Sequence, residues 1–176
     1  SDIIYQNGTE DGVYIACDGG QIFYRNKNMT DWELHGTGLS VSHFTRALKP
    51  FYKENKLLSG SNLGVWEIDL FESSKPIAQP SVDKQSSYCH RDTFYFEDFS
   101  TLYLDGTEKY QWEFPNALYV SDPFSKNPKV VYGGAGSYSV SLEISNSIGS
   151  SKKTVSNMIT VFPSICNPDT VSGNSL

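Results

Sequence analysis

The chain has 176 residues, 38% of them hydrophobic and 14% aromatic, so it can bury a core of roughly two thirds of its unfolded surface. Its formal charge of -6 and pI near 5.0 oppose the phosphate neutralisation that nucleic-acid binding requires. No run of about 18 apolar residues occurs, and the N-terminus lacks the basic and apolar regions of a secretory signal. We therefore expect a globular chain without nucleic-acid binding, membrane insertion or an export signal of its own.

The first part of the chain contains an internal repeat. Residues 8–14 recur as residues 60–66, an offset of 52 residues from Gly8 to Gly60. In both copies a small hydroxyl residue follows a glycine, and a second glycine opens a Val-aromatic strand. This period, with several short strands inside it, is typical of a β-propeller blade. The alternative is chance similarity between two strand starts.

A turn motif between the two copies supports the blade. Residues 16–23 (Ala-Cys-Asp-Gly-Gly-Gln-Ile-Phe) resemble the Asp-box of sialidase-like propellers, Ser-x-Asp-x-Gly-x-Thr-Trp, with Asp18 and Gly20 in place. In that family the box is a folding element whose Asp caps a turn, so the resemblance implies no catalysis. Because one repeat cannot close a ring, we expect residues 1–72 to be a β-propeller-blade-like antiparallel segment, the last blade of something larger.

Strand signals continue to the end of the chain. The segment 72–80 is small, polar and proline-bearing, which indicates a domain boundary or a short stiff linker. Beyond it, residues 137–145 alternate polar and apolar without a break, and residues 93–97 and 110–114 repeat that pattern with aromatic residues. No window has a helical period, so the chain is predicted to be all-β.

The order of motifs over residues 76–162 resembles a polycystic-kidney-disease (PKD) domain, which is an immunoglobulin-like β-sandwich. The matching segments are the lead-in at 76–78, 93–100 for V-x-F-x-D-x-S, 111–114 for the Trp-Asp-Phe core, 127–132 for N-P-x-h-T-Y, 136–142 for G-x-Y-x-V-x-L and 146–150 for N-x-x-G-S. After Phe114 the family continues Gly-Asp-Gly, whereas this chain has Pro-Asn-Ala. That loop is therefore rebuilt.

The resemblance implies roles for individual residues. Trp112 is expected to fill the space between two sheets about 10 Å apart. Tyr138 is expected to bury its ring and bond its hydroxyl near the sandwich corner. In an immunoglobulin-like order the second strand begins at the pole where the last strand ends, so Cys89 and Cys166 are candidates for a disulfide, which would favour an extracellular compartment. The alternative is a half-buried Cys89 and a free Cys166.

Spacing arguments exclude the common metal and catalytic motifs. The cysteines, with Cys17 as the third, lie too far apart for a zinc site. The three histidines also lack ligand spacing: His35, His43 and His90. Four carboxylates of the first part could serve a hydrolase, although turns and strand ends explain them: Glu10, Asp11, Asp18 and Glu67. We expect no catalysis, no metal and no cofactor, and assign no calcium to Asp105.

Aromatic residues beyond those that a core can hold are the candidate binding residues of this chain. Eight are too many for all of them to point inward: Tyr5, Tyr24, Phe51, Tyr52, Tyr88, Tyr95, Tyr103 and Tyr119. Exposed tyrosines suit sugar stacking or protein contact. Residues 7–9 and 28–30 fit the N-glycosylation pattern. Residues 163–176 are expected to link to a further module.

We therefore expect a non-catalytic extracellular or cell-surface module of a larger secreted protein. It would space and orient neighbouring domains of the same polypeptide and bind glycans or surface proteins. The alternative is an accessory fragment of a glycosidase-like propeller enzyme whose catalytic residues lie upstream of Ser1. A third class, an adhesion component, would show an apolar patch of several hundred Å².

Overall fold

The computed structural model describes residues 1–36, 44–89 and 91–163. Within these ranges the regular structure is β-strand apart from one 3-10 turn at Tyr52–Glu54, so the all-β prediction is confirmed. No helix of the described part is long and apolar enough to cross a membrane. The chain forms two compact units, of which the first comprises Ser1–Ile77 with the loops Thr101–Glu108 and Ser145–Ser150.

The first unit contains two antiparallel meanders. The strands of the four-stranded sheet, in spatial order, are β1 (Asp2–Gln6), β2 (Gly12–Ala16), β3 (Ile22–Arg25) and β4 (Glu33–Leu34). Those of the three-stranded sheet are β5 (Thr45–Phe51), β6 (Lys56–Ser61) and β7 (Gly64–Asp69). The segment predicted to be blade-like therefore holds two sheets, each with sequential neighbours paired.

The core of the first unit lies between these two sheets. Tyr14, Ile22 and Tyr24 of the first sheet and Leu48 and Leu57 of the second are buried in one cluster. The rings of Tyr14 and Tyr24 lie 4.7 Å apart and tilted, as aromatic pairs prefer. Each such side chain contributes roughly 1.5–3 kcal/mol by leaving water. Burial alternates along β2 because successive side chains of a strand point to opposite faces.

Both copies of the repeat form a hairpin, with a loop of residues 7–11 in the first copy and of residues 62–63 in the second. Gly12 opens β2 and Gly64 opens β7, each as the second strand of its hairpin. The hydroxyl residue of each copy bonds within its own turn: the amide of Gly12 donates to Thr9 Oγ1 at 3.0 Å, and Ser61 Oγ donates to the carbonyl of Gly64 at 3.0 Å. Gly64 has a φ of 117°, which a side chain would disfavour.

The Asp-box-like segment forms the tight turn between β2 and β3. The amide of Cys17 donates to the carbonyl of Gln21 at 2.8 Å, and Gly19 and Gly20 both have a positive φ. Asp18 is exposed and makes no side-chain hydrogen bond to the described residues. Capping by the Asp, implied by the resemblance, is therefore replaced by the backbone freedom of two glycines.

The second unit contains two four-stranded sheets. The first, in spatial order, consists of β12 (Ala117–Val120), β13 (Lys129–Tyr132), β10 (Thr93–Asp98) and β8 (Pro80–Val82). The second consists of β11 (Lys109–Glu113), β14 (Gly136–Asn146), β15 (Gly149–Val161) and β9 (Ser86–Ser87). β9 pairs with β15 in parallel, whereas the pairs within the first sheet are antiparallel. This division of strands has the immunoglobulin-type order.

Aromatic residues fill the space between these two sheets. Trp112 on β11 is 3% exposed, and its ring lies 5.7 Å from that of Phe96 on β10. The indole N–H donates to the carbonyl of Ser125 at 3.0 Å, so the buried ring leaves no polar atom unpaired. The prediction that Trp112 is a core residue is confirmed.

Tyr138 makes the hydrogen bond expected at the sandwich corner, but its side chain is half-buried and not fully buried. Its hydroxyl donates to the carbonyl of Gly134 at 2.7 Å, four residues upstream. Its ring stacks on that of Tyr132 with centroids 4.0 Å apart. One residue thereby contributes apolar packing and a hydrogen bond to the loop that precedes its own strand.

Candidate functional site

The carboxylates weighed as catalytic candidates lie in three places: Glu10 and Asp11 in the β1–β2 turn, Asp18 in the β2–β3 turn and Glu67 on β7. Glu10 forms an ion pair with Lys27, which holds the pKa of its carboxyl below the usual range. Asp11 lies at the β1–β2 turn with a φ of 58°, and Asp18 lies at the β2–β3 turn. Glu67 is on β7. Within the described ranges, no group of three or more His, Cys, Asp or Glu side chains could hold a metal ion.

One of the three histidines lies in the described part. His35 follows β4, and its Nε2 lies 2.7 Å from the carbonyl of Asp69 at the end of β7. Its ring packs 5.8 Å from that of Tyr14 and 5.4 Å from that of Phe71. This histidine therefore helps to hold the two meanders together. His43 and His90 lie outside the described residues.

Of the two cysteines in the predicted disulfide, the described residues include Cys89 but not Cys166. Cys17 is a free thiol, half-buried after β2. Cys89 is disulfide-bonded. Cys166 lies outside the described residues, so the pairing of Cys89 with Cys166 stays a prediction.

A buried polar network was not foreseen from the sequence. Gln6, the last residue of β1, is 2% exposed. Its Nε2 donates to the carbonyl of Glu72 at 2.5 Å and to Ser74 Oγ at 2.9 Å, and its Oε1 accepts from the Tyr14 hydroxyl at 2.6 Å. The Tyr14 hydroxyl in turn accepts from the amide of Phe71 at 2.7 Å. Nearly all the hydrogen-bonding capacity of the buried amide is satisfied.

Tyr24 extends the network to a carboxylate. Its hydroxyl donates to Glu72 Oε1, and Asn26 Nδ2 donates to the same oxygen at 3.2 Å. Burial raises the pKa of the Tyr24 hydroxyl, and the bond to Glu72 raises it further. Burial likewise raises the pKa of Tyr14. Both hydroxyls therefore stay protonated and remain donors at physiological pH.

This network fixes a stretch that we call the connecting segment, residues 72–77. Beyond the bonds of Gln6, the amide of Lys75 donates to the carbonyl of Gly8 at 2.8 Å. Ile77 and Thr101 exchange two backbone hydrogen bonds of 2.8 and 3.1 Å. A Cβ on Gly8 would lie 2.3 Å from the Lys75 carbonyl oxygen, so the close approach requires glycine. The connecting segment is an integral part of the first unit.

Sequence reasoning missed Gln6 because its signal is weak. It shares a face of β1 with the inward-facing Ile4, which indicates a buried side chain. Its partners in the connecting segment, Glu72 and Ser74, lie 66 and 68 residues away. The small, polar composition of that segment does not distinguish a solvent-exposed linker from a segment that is hydrogen-bonded to the first unit.

The surplus aromatic residues separate into three groups. Five are exposed: Tyr5, Phe51, Tyr88, Tyr95 and Tyr119. Tyr52 and Tyr103 are half-buried, and Tyr24 is fully buried. Both asparagines of the glycosylation patterns, Asn7 and Asn28, are exposed.

A shallow cleft on the first unit combines an aromatic ring with polar groups. It has a volume of about 230 Å³ and is lined by Asp11, Val13, Arg25, Asn26, Lys27 and Trp32. Trp32 is 39% exposed. The Arg25 Nε donates to the carbonyl of Met29 at 3.3 Å. The cleft therefore offers an aromatic face, a carboxylate and a guanidinium within one small volume.

No protein-family model matches the sequence, and no curated protein matches it. Among solved structures, the chain is similar to the extracellular domain of a one-component system from B. thetaiotaomicron. The TM-score is 0.35 and the identity 9%, over 91% of this chain and 31% of the other. The chain thus spans about a third of that structure's length, and a likeness at this level carries no inference about function.

Proposed function

We propose that this chain is a non-catalytic module of a larger extracellular or cell-surface protein, in which a PKD-type sandwich follows a blade-like segment. Its role is to space and orient neighbouring domains of the same polypeptide. The observation that carries this proposal is the bonded connecting segment, residues 72–77. A spacer can orient the next domain only when the segment that leaves it is held in place. Here backbone and side-chain hydrogen bonds hold the connecting segment.

The rest of the first unit suits this role. The network of Gln6, Tyr14 and Tyr24 lies under the connecting segment and is nearly fully satisfied, and such networks favour one arrangement over others. The carboxylates weighed as catalytic candidates are spread over two turns and one strand, and Glu10 already has a cationic partner. These observations favour a scaffold over a hydrolase.

The spacer proposal is tested by amide hydrogen exchange of the connecting segment. The amides of Lys75 and Ile77 are expected to exchange as slowly as those of β2. The variant Q6L removes the amide group beneath the segment, and the Lys75 amide should then exchange roughly ten-fold faster or more, the effect of about 1–3 kcal/mol of lost bonding. The control Q21L makes the same change at an exposed position of the first unit and should change nothing. Unprotected amides in the wild type, or hydrolysis of glycoside substrates by the chain, would overturn the proposal.

A second role, contact with glycans, is favoured by the cleft at Trp32. Sugars bind proteins by stacking a ring face on an aromatic side chain while charged groups accept and donate bonds to the hydroxyls, and Trp32, Asp11 and Arg25 supply both kinds of contact. On a glycan array, W32A should lose the signal of the wild type. W66A, which removes a similarly exposed tryptophan outside the cleft, should retain it. Equal signals for the two variants would contradict this role.

A further inference from the structure

The strand β7 has one edge that pairs with no described strand. It pairs with β6 in register from Ser61↔Gly64 to Lys56↔Asp69 and with no other described strand. Five of its six residues are exposed, including Val65 at 74%. β7 contains no proline or lysine, which are the residues that commonly protect edge strands.

The first copy of the internal repeat shows what lies beside such a strand. β2 occupies the place of β7 in the repeat, with Val13, Tyr14 and Ala16 aligned to Val65, Trp66 and Ile68. β2 has β1 on one edge and β3 on the other, whereas the one described strand beside β7 is β6, the counterpart of β1. The open edge of β7 is therefore the position that β3 fills in the first sheet.

We propose that the open edge of β7 binds an extended peptide segment by antiparallel strand addition. Three successive residues of this segment are apolar, basic and aromatic: the β2–β3 pairing specifies the apolar and aromatic residues, and Glu67 specifies the basic one. Main-chain hydrogen bonds supply the affinity in this mode of recognition, and alternate side chains supply the selectivity. The inference concerns a surface that the spacer role does not use, and it stands independently of that role.

The β2–β3 register defines two of the positions. Ala16 pairs with Ile22, and Tyr14 pairs with Tyr24. Transferred to β7, this places an apolar residue opposite Ile68 and an aromatic residue opposite Trp66. Cross-strand aromatic pairs and apolar pairs are the interactions that stabilise antiparallel sheets.

Charge defines the position between them. In the first sheet Ile15 pairs with Phe23, but the residue of β7 aligned with Ile15 is Glu67. Glu67 is exposed and has no ion pair among the described residues, whereas the neighbouring acid Asp69 pairs with Lys56 at 2.7 Å. A lysine or arginine opposite Glu67 is the complementary choice, because opposite charges across a strand pair attract.

The same charges argue against a second copy of the chain as the occupant. Antiparallel pairing of β7 with β7 of another molecule would bring acidic side chains of both, Glu67 and Asp69, to one edge. Each chain also carries a formal charge of -6. A segment bearing a basic residue avoids both repulsions.

Two synthetic peptides with blocked ends test the proposal. The first has the sequence of residues 20–26 with lysine at the position of Phe23, and the second has glutamate there. Each is titrated to its solubility limit into the isotope-labelled chain while amide shifts and amide exchange are measured. The expected result is shifts and slowed exchange confined to Gly64–Asp69 and its partner β6, with the lysine peptide binding roughly three-fold tighter or more than the glutamate peptide.

Matched charge variants separate strand addition from general attraction. E67K should reverse the order of the two peptides, whereas E54K, which makes the same change on the exposed turn between β5 and β6, should leave the order unchanged. The proposal is overturned if neither peptide shifts the β7 amides, if E54K acts like E67K, or if the chain dimerises through β7 without peptide. Exchange at the connecting segment is a separate measurement, so failure here leaves the spacer role standing.

Discussion

Removing one hydroxyl from the buried network isolates the contribution of the Gln6 contacts to stability. In the variant Y14F the ring stays in place, while Gln6 Oε1 loses its donor and the amide of Phe71 loses its acceptor. Tyr132 offers a matched control. It is also buried on a strand, but its hydroxyl has no hydrogen-bond partner among the described residues. Both variants delete the phenolic oxygen. In Tyr14 this oxygen is hydrogen-bonded, and in Tyr132 it has no partner among the described residues.

The expected magnitudes follow from this difference. A buried polar group left without a partner costs about 1–3 kcal/mol, and Y14F leaves two such groups, so we expect a loss of about 2–6 kcal/mol from the free energy of unfolding. Y132F removes a hydroxyl that is desolvated without compensation. It should therefore be neutral or stabilise by up to about 1–2 kcal/mol.

The assay must distinguish the two units, because each has its own core and the chain need not unfold in one step. Urea unfolding followed through resolved NMR signals of β2 and of β10 reports on them separately. The free energy of unfolding of the unit that carries each substitution is then compared with that of the wild type. The reasoning would be refuted if Y14F lowered the free energy of unfolding by less than about 0.5 kcal/mol, or if Y132F lowered it by more than Y14F does.

Three further changes have defined outcomes. In G12A the new Cβ would lie 2.1 Å from the Tyr24 hydroxyl oxygen, so the denaturation midpoint of the first unit should fall by the equivalent of about 1–3 kcal/mol, and an unchanged midpoint would contradict that close approach. W112A should cost the second unit about 3–5 kcal/mol and remove most of its near-UV circular dichroism, whereas a retained spectrum would show that the indole is not part of the core. Lys84, 2.8 Å from Asp92, holds the pKa of that carboxyl below its usual range, so this pair stabilises the fold above pH ~4 and the contribution is lost as the pH falls further. The variant K84M should therefore flatten the fall in stability between neutral and acid pH, and a curve parallel to that of the wild type would contradict the pairing.

Local patterns along the chain determined the fold class and much of the core. The alternation over residues 137–145 specifies which side chains of β14 face inward, because successive side chains of a strand point to opposite faces whatever its neighbours are. The same alternation applies to residues 110–114, and the resemblance to a PKD domain placed Trp112 between two sheets. The glycines of the repeat marked the hairpins at Gly12 and Gly64. These inferences need only residues close together in sequence.

Contacts between distant residues were decided by tertiary structure alone. Gln6 and Ser74 are 68 residues apart, and nothing near either one specifies the other as its partner. The open edge of β7 is likewise invisible in its own sequence, since a strand with one neighbour has the same composition as a strand with two. Hydrogen bonds between remote segments depend on where the whole chain brings them, whereas the facing of a side chain depends on the backbone geometry of its own strand. That physical difference explains why the sequence predicted the layers of this protein but not the network beneath its connecting segment.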